Sequence, residues 1–394
     1  LVVITGGSKG IGKACVESFA RRGARVLFTY CSDPTSAAQV EQSFAPRGRV
    51  QSRYLDQGDF SSVQSFAAQV DQWREGRLLD TVVNNAALGV ATVSSYKGLP
   101  TPPQPPQPPQ PPHPAPGVVG SSSKAGHDDD VHEARRRRAE EDVALMRVNG
   151  LGPMWVTESL LPMMERPRAA LATAGEVVAG VGPPTAAAAA GGVTSAAGMV
   201  SSTVSSSAVD RGMNSSTSII NNSGYGRKRT VLFMGSVGGG SQSVFPGFRA
   251  ADAMSKAAVA YSCKHFAARS RATSASTPST NSSNSSALAE QGEGGRELAM
   301  ASDAGDGVDF LCLCPGATLT DMFRASTLDR MQGPGELERF LRALPQGRLM
   351  RPEEVAEAVY WFCSSPAATM FHGAVIDASA GLAVRPGVLT EYSF

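Results

Sequence analysis

The sequence predicts an α/β fold: one domain built on a doubly wound parallel sheet, with three low-complexity insertions. Three observations carry this. Short apolar runs rich in Val, Ile, Leu and Phe alternate with helical segments along most of the chain. Repeated βαβ units of that kind need parallel strands, and right-handed crossovers lay helices on both faces. The first apolar run also passes directly into a glycine-rich turn and then a helix. In a doubly wound sheet that turn sits at the carboxyl ends of the strands, where the ligand crevice lies.

The elements follow in order. LVVIT is the first strand, followed by a helix through GKACVESFARRG. ARVLFTY precedes a helix through SAAQVEQSFA, and RVQSRYLD precedes SSVQSFAAQVDQW. LLDTVVNNA leads to a helix around 139–164, and TVLFMGS to one over 253–269. VDFLCLCPG is followed by two helical pieces within 336–364, and AVIDA closes the sheet.

Composition breaks this series three times. Residues 97–132 carry PPQPPQPPQPP and then HDDD; 167–227 are mostly Ala, Gly, Ser and Asn; 271–295 are Ser, Thr and Asn ending in EQGEGG. Such segments bury too little apolar surface to offset the cost of ordering the chain, so they read as disordered insertions. Without them about 270 residues remain, a single-domain size. The PPQ run reads as a solvated polyproline II spacer, with an SH3 or WW groove as its alternative partner. Arg135–Arg138 reads as a solvated helix face.

A net charge of +1 gives no field to draw the chain to nucleic acid or a membrane surface, and no apolar run reaches spanning length. The six cysteines are scattered, and Cys312 and Cys314 fall on one face of a strand, which suits neither a zinc knuckle nor a disulfide framework. No metal site is expected among the five His residues. A reducing compartment, the cytoplasm by default, is the expected setting. Because LVVIT already reads as a buried strand, the natural N-terminus is expected upstream and targeting is not readable.

In GGSKGIG, Gly6 allows a tight turn, and Gly10 and Gly12 let the backbone approach a pyrophosphate and pack the helix close to the strand. The helix start then offers N–H groups to anionic oxygens. Lys9 in this loop suits the 2′-phosphate of NADP. Strand ARVLFTY ends at Tyr30, Cys31 and Ser32, with no acid placed for the ribose of NAD; Asp33, before Pro34, reads as a turn residue.

TGGSKGIG resembles the TGxxxGIG loop of the short-chain dehydrogenases/reductases, and the family's other motifs follow in order. The chain is similar to 3-oxoacyl-reductase-like members. The resemblance implies a Rossmann fold and cofactor contacts from Gly6, Ser8, Lys9, Gly10, Ile11 and Gly12. Asp56 matches the family's adenine contact, Asn84 and Ala86 lie in NNAA, which resembles NNAG, and Pro315, Gly316 and Thr320 match PGxxxT over the nicotinamide. It further implies Asn149 beneath the active site, Ser236 as the catalytic Ser, Lys256 in SKAAV as the catalytic Lys, and RPEEVA at Arg351 opening the last long helix.

One departure bears on the chemistry. The family signature is YxxxK, and four residues before Lys256 stands Asp252. An ordinary Asp is ionised at neutral pH and has no proton to give to a carbonyl oxygen. Two readings follow. One is an NADP-dependent oxidoreductase of small-molecule carbonyls or alcohols in which Asp252 is kept protonated by burial or another group supplies the proton. The other is a homologue that binds NADP(H) as a sensor or interaction module. Loops near 90–96, 241–250 and 320–345 would set the substrate, and the helices around 149–164 and 253–269 would mediate a homodimer or homotetramer.

Overall fold

The computed structural model describes residues 1–96, 98–99, 125–165, 228–240, 248–272, 307–331 and 333–384. All of these fall in the compact unit formed by Leu1–Glu165 and Arg227–Phe394. Its centre is one seven-stranded sheet in the order β3-β2-β1-β4-β5-β6-β7. The strands are β1 (Val2–Ile4), β2 (Val26–Tyr30), β3 (Val50–Tyr54), β4 (Thr81–Asn84), β5 (Arg229–Met234), β6 (Val308–Pro315) and β7 (Val375–Ala378). Every neighbouring pair is parallel, as the sequence pattern predicts.

Helices cover both faces. The first face carries α1 (Gly10–Arg21), α2 (Pro34–Ser43) and α9 (Pro352–Ser364), which bury Val16, Phe19, Val40 and Val359 against Ile4 and Phe28. The second carries α3 (Phe60–Arg74), α5 (Gly152–Leu160) and α6 (Ala250–Ala272), with Phe66, Val70, Leu160 and Phe266 packed on Val82, Phe233 and Phe310. Phe266 stacks between Phe233 and Phe310 at centroid distances of 6.1 and 5.6 Å, the offset geometry that favours aromatic pairs. Helix α4 (Ala125–Leu145) leads into α5 through a π-helical turn, Met146–Leu151. Two short helices, α7 (Asp321–Ser326) and α8 (Glu336–Ala343), fill the connection after β6.

Most of 97–132, all of 167–227 and most of 271–295 lie outside the described residues. Two boundaries move. Residues 125–132 belong to α4, and 271–272 end α6. The polar composition hid the first of these. Farther along α4, ion pairs of Arg136 with Glu133 and Glu140, at 2.8 and 3.1 Å, support a helix that has little apolar face. Asp33 is not merely a turn residue. It is the N-cap of α2, and its side chain accepts the Ser36 N–H at 2.9 Å.

Among the described residues, no helix is long and apolar enough to cross a membrane. No group of three His, Cys, Asp or Glu among them could hold a metal ion.

Candidate active site

The strand order reverses direction between β1 and β4, so the turns that follow these two strands open a crevice at their carboxyl ends. The glycine loop after β1 is shaped by backbone needs. Gly6 and Gly10 have φ of 67° and 52°, a region that side-chain-bearing residues rarely adopt. A Cβ on Gly12 would lie 2.1 Å from Gly6 O and 2.4 Å from Asn85 Nδ2. Thr5 Oγ1 accepts the N–H groups of both Asn85 and Ala86 at 2.9 Å, and Asn85 Nδ2 donates to Thr5 O and Gly6 O at 3.0 and 3.1 Å. The NNAA turn therefore holds the glycine loop. Thr320 closes the same loop from the other side, with its Cγ2 3.2 Å from where a Gly10 Cβ would stand. Ser8 and Ile11 are half-buried beside it. Gly316 packs against Ser379, and Pro315 ends β6.

Two sequence-selected residues have other partners. Asn84 is buried, and its amide donates to Thr157 Oγ1 on α5 at 2.9 Å. Asp56 accepts the Gly58 N–H at 2.9 Å, and its two oxygens lie 2.8 and 2.9 Å from the Tyr96 hydroxyl. Burial first, and then Asp56, pushes the Tyr96 phenol up, so it stays a donor. Beside this pair lies a cleft of about 450 Å³ whose walls include Phe60, Arg147 and Trp155.

Lys9 forms an ion pair with Asp33 at 2.6 Å. The bond to Lys9, followed by the Ser36 N–H, holds the Asp33 carboxyl well below the usual carboxylate range. No sequence pattern announced this pairing, because it joins two different turns, at the carboxyl ends of β1 and β2.

The catalytic candidates gather around the start of α6. Ser236 follows β5 in a turn that packs on α6, and a Cβ on Gly239 would lie 2.0 Å from Ala253 O. Ser236 Oγ accepts the Gly238 N–H at 3.2 Å. Behind the turn, the sulfur of Cys314 fills the space that side chains on Gly235 or Gly240 would need, 2.7 Å from either Cβ position. Asn149 lies in the π-helical turn, is 1% exposed, and exchanges two hydrogen bonds with the backbone of Leu88 at 2.7 and 2.9 Å.

Asp252 and Lys256 stand one turn apart on α6 and are half-buried. Burial pushes the Asp252 carboxyl above its ordinary range. Attraction from Lys256 and Arg249 and a hydrogen bond with Asn149 oppose that rise without cancelling it. Burial likewise lowers Lys256, against the pull of Asp252. Asp252, Lys256 and Asn149 thus stand together, with the Asp252 carboxyl raised above that of a free Asp.

The fold is a doubly wound α/β sheet with a glycine loop at the turn after β1 and Asn149, Asp252 and Lys256 near the start of α6. Residues 1–98 match the family model for short chain dehydrogenase. It is 40% identical over 88 residues to a probable galactose dehydrogenase of Rhizobium meliloti, which covers 22% of this chain and 33% of that one. It is 35% identical over 91 residues to dehydrogenase/reductase SDR family member 1 of the mouse, 23% of this chain and 29% of that one. These matches span about a third of the length of the curated relatives. The fold resembles that of RhlG of Pseudomonas aeruginosa, solved as an NADP active-site complex, with a TM-score of 0.54 at 16% identity over 97% of this chain and 95% of that one. It also resembles a short chain dehydrogenase of Burkholderia cenocepacia in complex with NADP, with a TM-score of 0.52 at 16% identity over 96% and 97% of the two chains.

Proposed function

We propose that this chain is an NADPH-dependent oxidoreductase that interconverts a small-molecule carbonyl and its alcohol, with Asp252 as the proton-bearing group. The observation that carries this reading is the placing of Asp252: half-buried, bonded to Asn149 and one turn from Lys256, with a carboxyl raised by burial.

The residues present fit the cofactor. The cradle at Gly6, Gly10 and Gly12 has no room for side chains, and the start of α1 faces it with N–H groups. When bound, NADPH supplies the hydride. This chain's own residues do the rest. Ser236 Oγ accepts from Gly238, and its O–H can still donate to an acceptor such as a carbonyl oxygen. Asp252 donates its proton to that oxygen, and Lys256 and Asn149 then stabilise the carboxylate left behind. Lys9 supports a preference for NADPH. Its partner Asp33 must release it to a 2′-phosphate, so the preference is moderated by that ion pair. Met254 and Tyr261, 59% and 71% exposed on α6, support assembly of this chain into a homo-oligomer through that helix.

The test is NADPH oxidation with a panel of ketones and aldehydes. Asp252→Asn is expected to lower kcat by about 10²-fold or more, the usual contribution of a positioned acid, with NADPH Kd unchanged within about twofold. Asp252→Tyr is expected to exceed the parent about tenfold, because a phenol beside Lys256 reaches farther and still holds a proton at neutral pH. Equal turnover by Asp252→Asn and the parent sinks the assignment of Asp252. NADPH binding without turnover in parent and Asp252→Tyr alike favours a binding module.

A further inference from the structure

Arg249 immediately precedes α6, and its side chain is 11% exposed. All three of its guanidinium nitrogens are engaged by α4. Nε meets Asp142 Oδ1 at 2.5 Å, one terminal nitrogen meets Glu141 Oε2 at 2.8 Å, and the other donates to the Arg138 carbonyl at 2.8 Å. This uses the planar fork of arginine in full, as a lysine could not. The backbone carbonyl of the same residue accepts the Asp252 and Ala253 N–H groups at 3.0 and 3.2 Å. Arg249 therefore caps the first turn of α6 with its backbone and bolts that turn to α4 with its side chain. Below the bolt, Ala251 packs with Ala144, Leu145 and Val148.

The two helices joined in this way are the ones that must bring Asn149 and Asp252 together. Asp252 lies three residues beyond Arg249, and Asn149 lies seven beyond Asp142, in the π-helical turn that continues α4. We propose that Arg249 is a positioning residue for the reaction: its clamp on Glu141 and Asp142 sets the spacing between Asn149 and Asp252. The proposal rests on the reading of Asp252 as the proton-bearing group. Its cation also favours the ionised form of Asp252, because the two charges attract.

The experiment compares the full chain with Arg249→Leu and Arg249→Lys. The side-chain amide signals of Asn149 in ¹⁵N-labelled protein serve as a readout that needs no turnover. In the parent these signals are expected to shift with pH as Asp252 titrates, and Asp252→Asn should abolish that transition. Arg249→Leu should move the midpoint upward, since a nearby cation is removed. Its kcat should fall about 30-fold or more, as expected for displacement by a fraction of an ångström to 1 Å, with NADPH Kd within about twofold. Arg249→Lys should keep the midpoint, because the charge remains, yet lose rate, because the fork is gone. An unchanged midpoint in Arg249→Leu overturns the proposal. So does a rate loss matched by an equal loss of NADPH binding, which would mark general loosening. If the parent has no turnover, the oxidoreductase reading fails, while displaced Asn149 amide signals in both Arg249→Leu and Arg249→Lys still show that the clamp sets the Asn149–Asp252 spacing.

Discussion

The two ends of the sheet differ in what they preserve. Residues 1–98 match the family model and hold a glycine loop in which backbone contacts leave no freedom: Gly12 against Gly6 O, and Asn85 against both Thr5 and Gly6. The region from β5 onward continues the strand order and holds Ser236 and Lys256, but carries a carboxyl at position 252 and adjoins the long compositional interruptions. A cradle made of backbone tolerates almost no substitution without a collision. A proton donor is one side chain, and another acid can stand there if burial adjusts it.

The largest expected effect probes the amino-terminal side. Gly12→Val must displace Gly6 O or Asn85 and is expected to weaken NADPH binding about a hundredfold, consistent with an overpacking cost of about 3 kcal/mol. Gly307→Val, at a position with nothing within 4 Å, serves as the control and should bind NADPH normally in a fluorescence titration. If both variants bind alike, the claimed rigidity of the cradle is wrong.

Next comes cofactor choice. Lys9→Ala should cost about tenfold in NADPH affinity, near the lower end for a charge-assisted hydrogen bond, and leave NADH nearly unchanged. Asp33→Asn should favour NADPH by a few-fold at most, because the Lys9–Asp33 pair is largely exposed. Equal affinities of the parent for the two cofactors would remove Lys9 as a determinant.

A third prediction concerns the scaffold of the carboxyl half. Burial alone would raise the Asp309 carboxyl, but bonds from His372 and Thr369, with Lys228 nearby, outweigh it and hold Asp309 below its usual range. A depressed carboxyl contributes stability that is present above its unfolded pKa, about 3.9, and is lost as pH falls through the folded value. Asp309→Asn should therefore lower Tm at pH 7, and its gap from the parent should narrow below about pH 4. A gap that stays constant with pH would show that the charge of Asp309 is immaterial.

The smallest effect sharpens the role of Asn84. Thr157→Val removes the partner of its amide and should cost about 1 kcal/mol of stability, as for one buried hydrogen bond. NADPH affinity should hold, because the contact lies on the α5 side of β4. A selective loss of NADPH binding would tie the Asn84–Thr157 contact to the cofactor.

The strands were legible because burial on both faces writes near-continuous apolar runs, such as VDFLCLC. The glycine loop was legible because its steric demands have one answer in residue type. What escaped was set by tertiary approach. Asp33 looked like a turn residue until Lys9 reached it from another turn. Tyr96 gave no sign that it would bond to Asp56, forty residues away. The first turns of α4 were hidden in polar composition. Arg249 was invisible as a clamp because its partners lie more than a hundred positions earlier and carry no motif.

The chain leaves the described unit after Glu165 and returns at Lys228, and one dipeptide marks both points. Leu79 N–H donates to Met163 O at 2.9 Å, and the next residue, Asp80, accepts the Thr230 N–H at 2.8 Å. The ring closed by residues 164–229 is thus fastened at its neck by two backbone bonds just before β4. Because both bonds lie within the described unit, a short bridge from Glu165 to Lys228 is expected to keep the parent's Tm within a few degrees, as thermal unfolding would show.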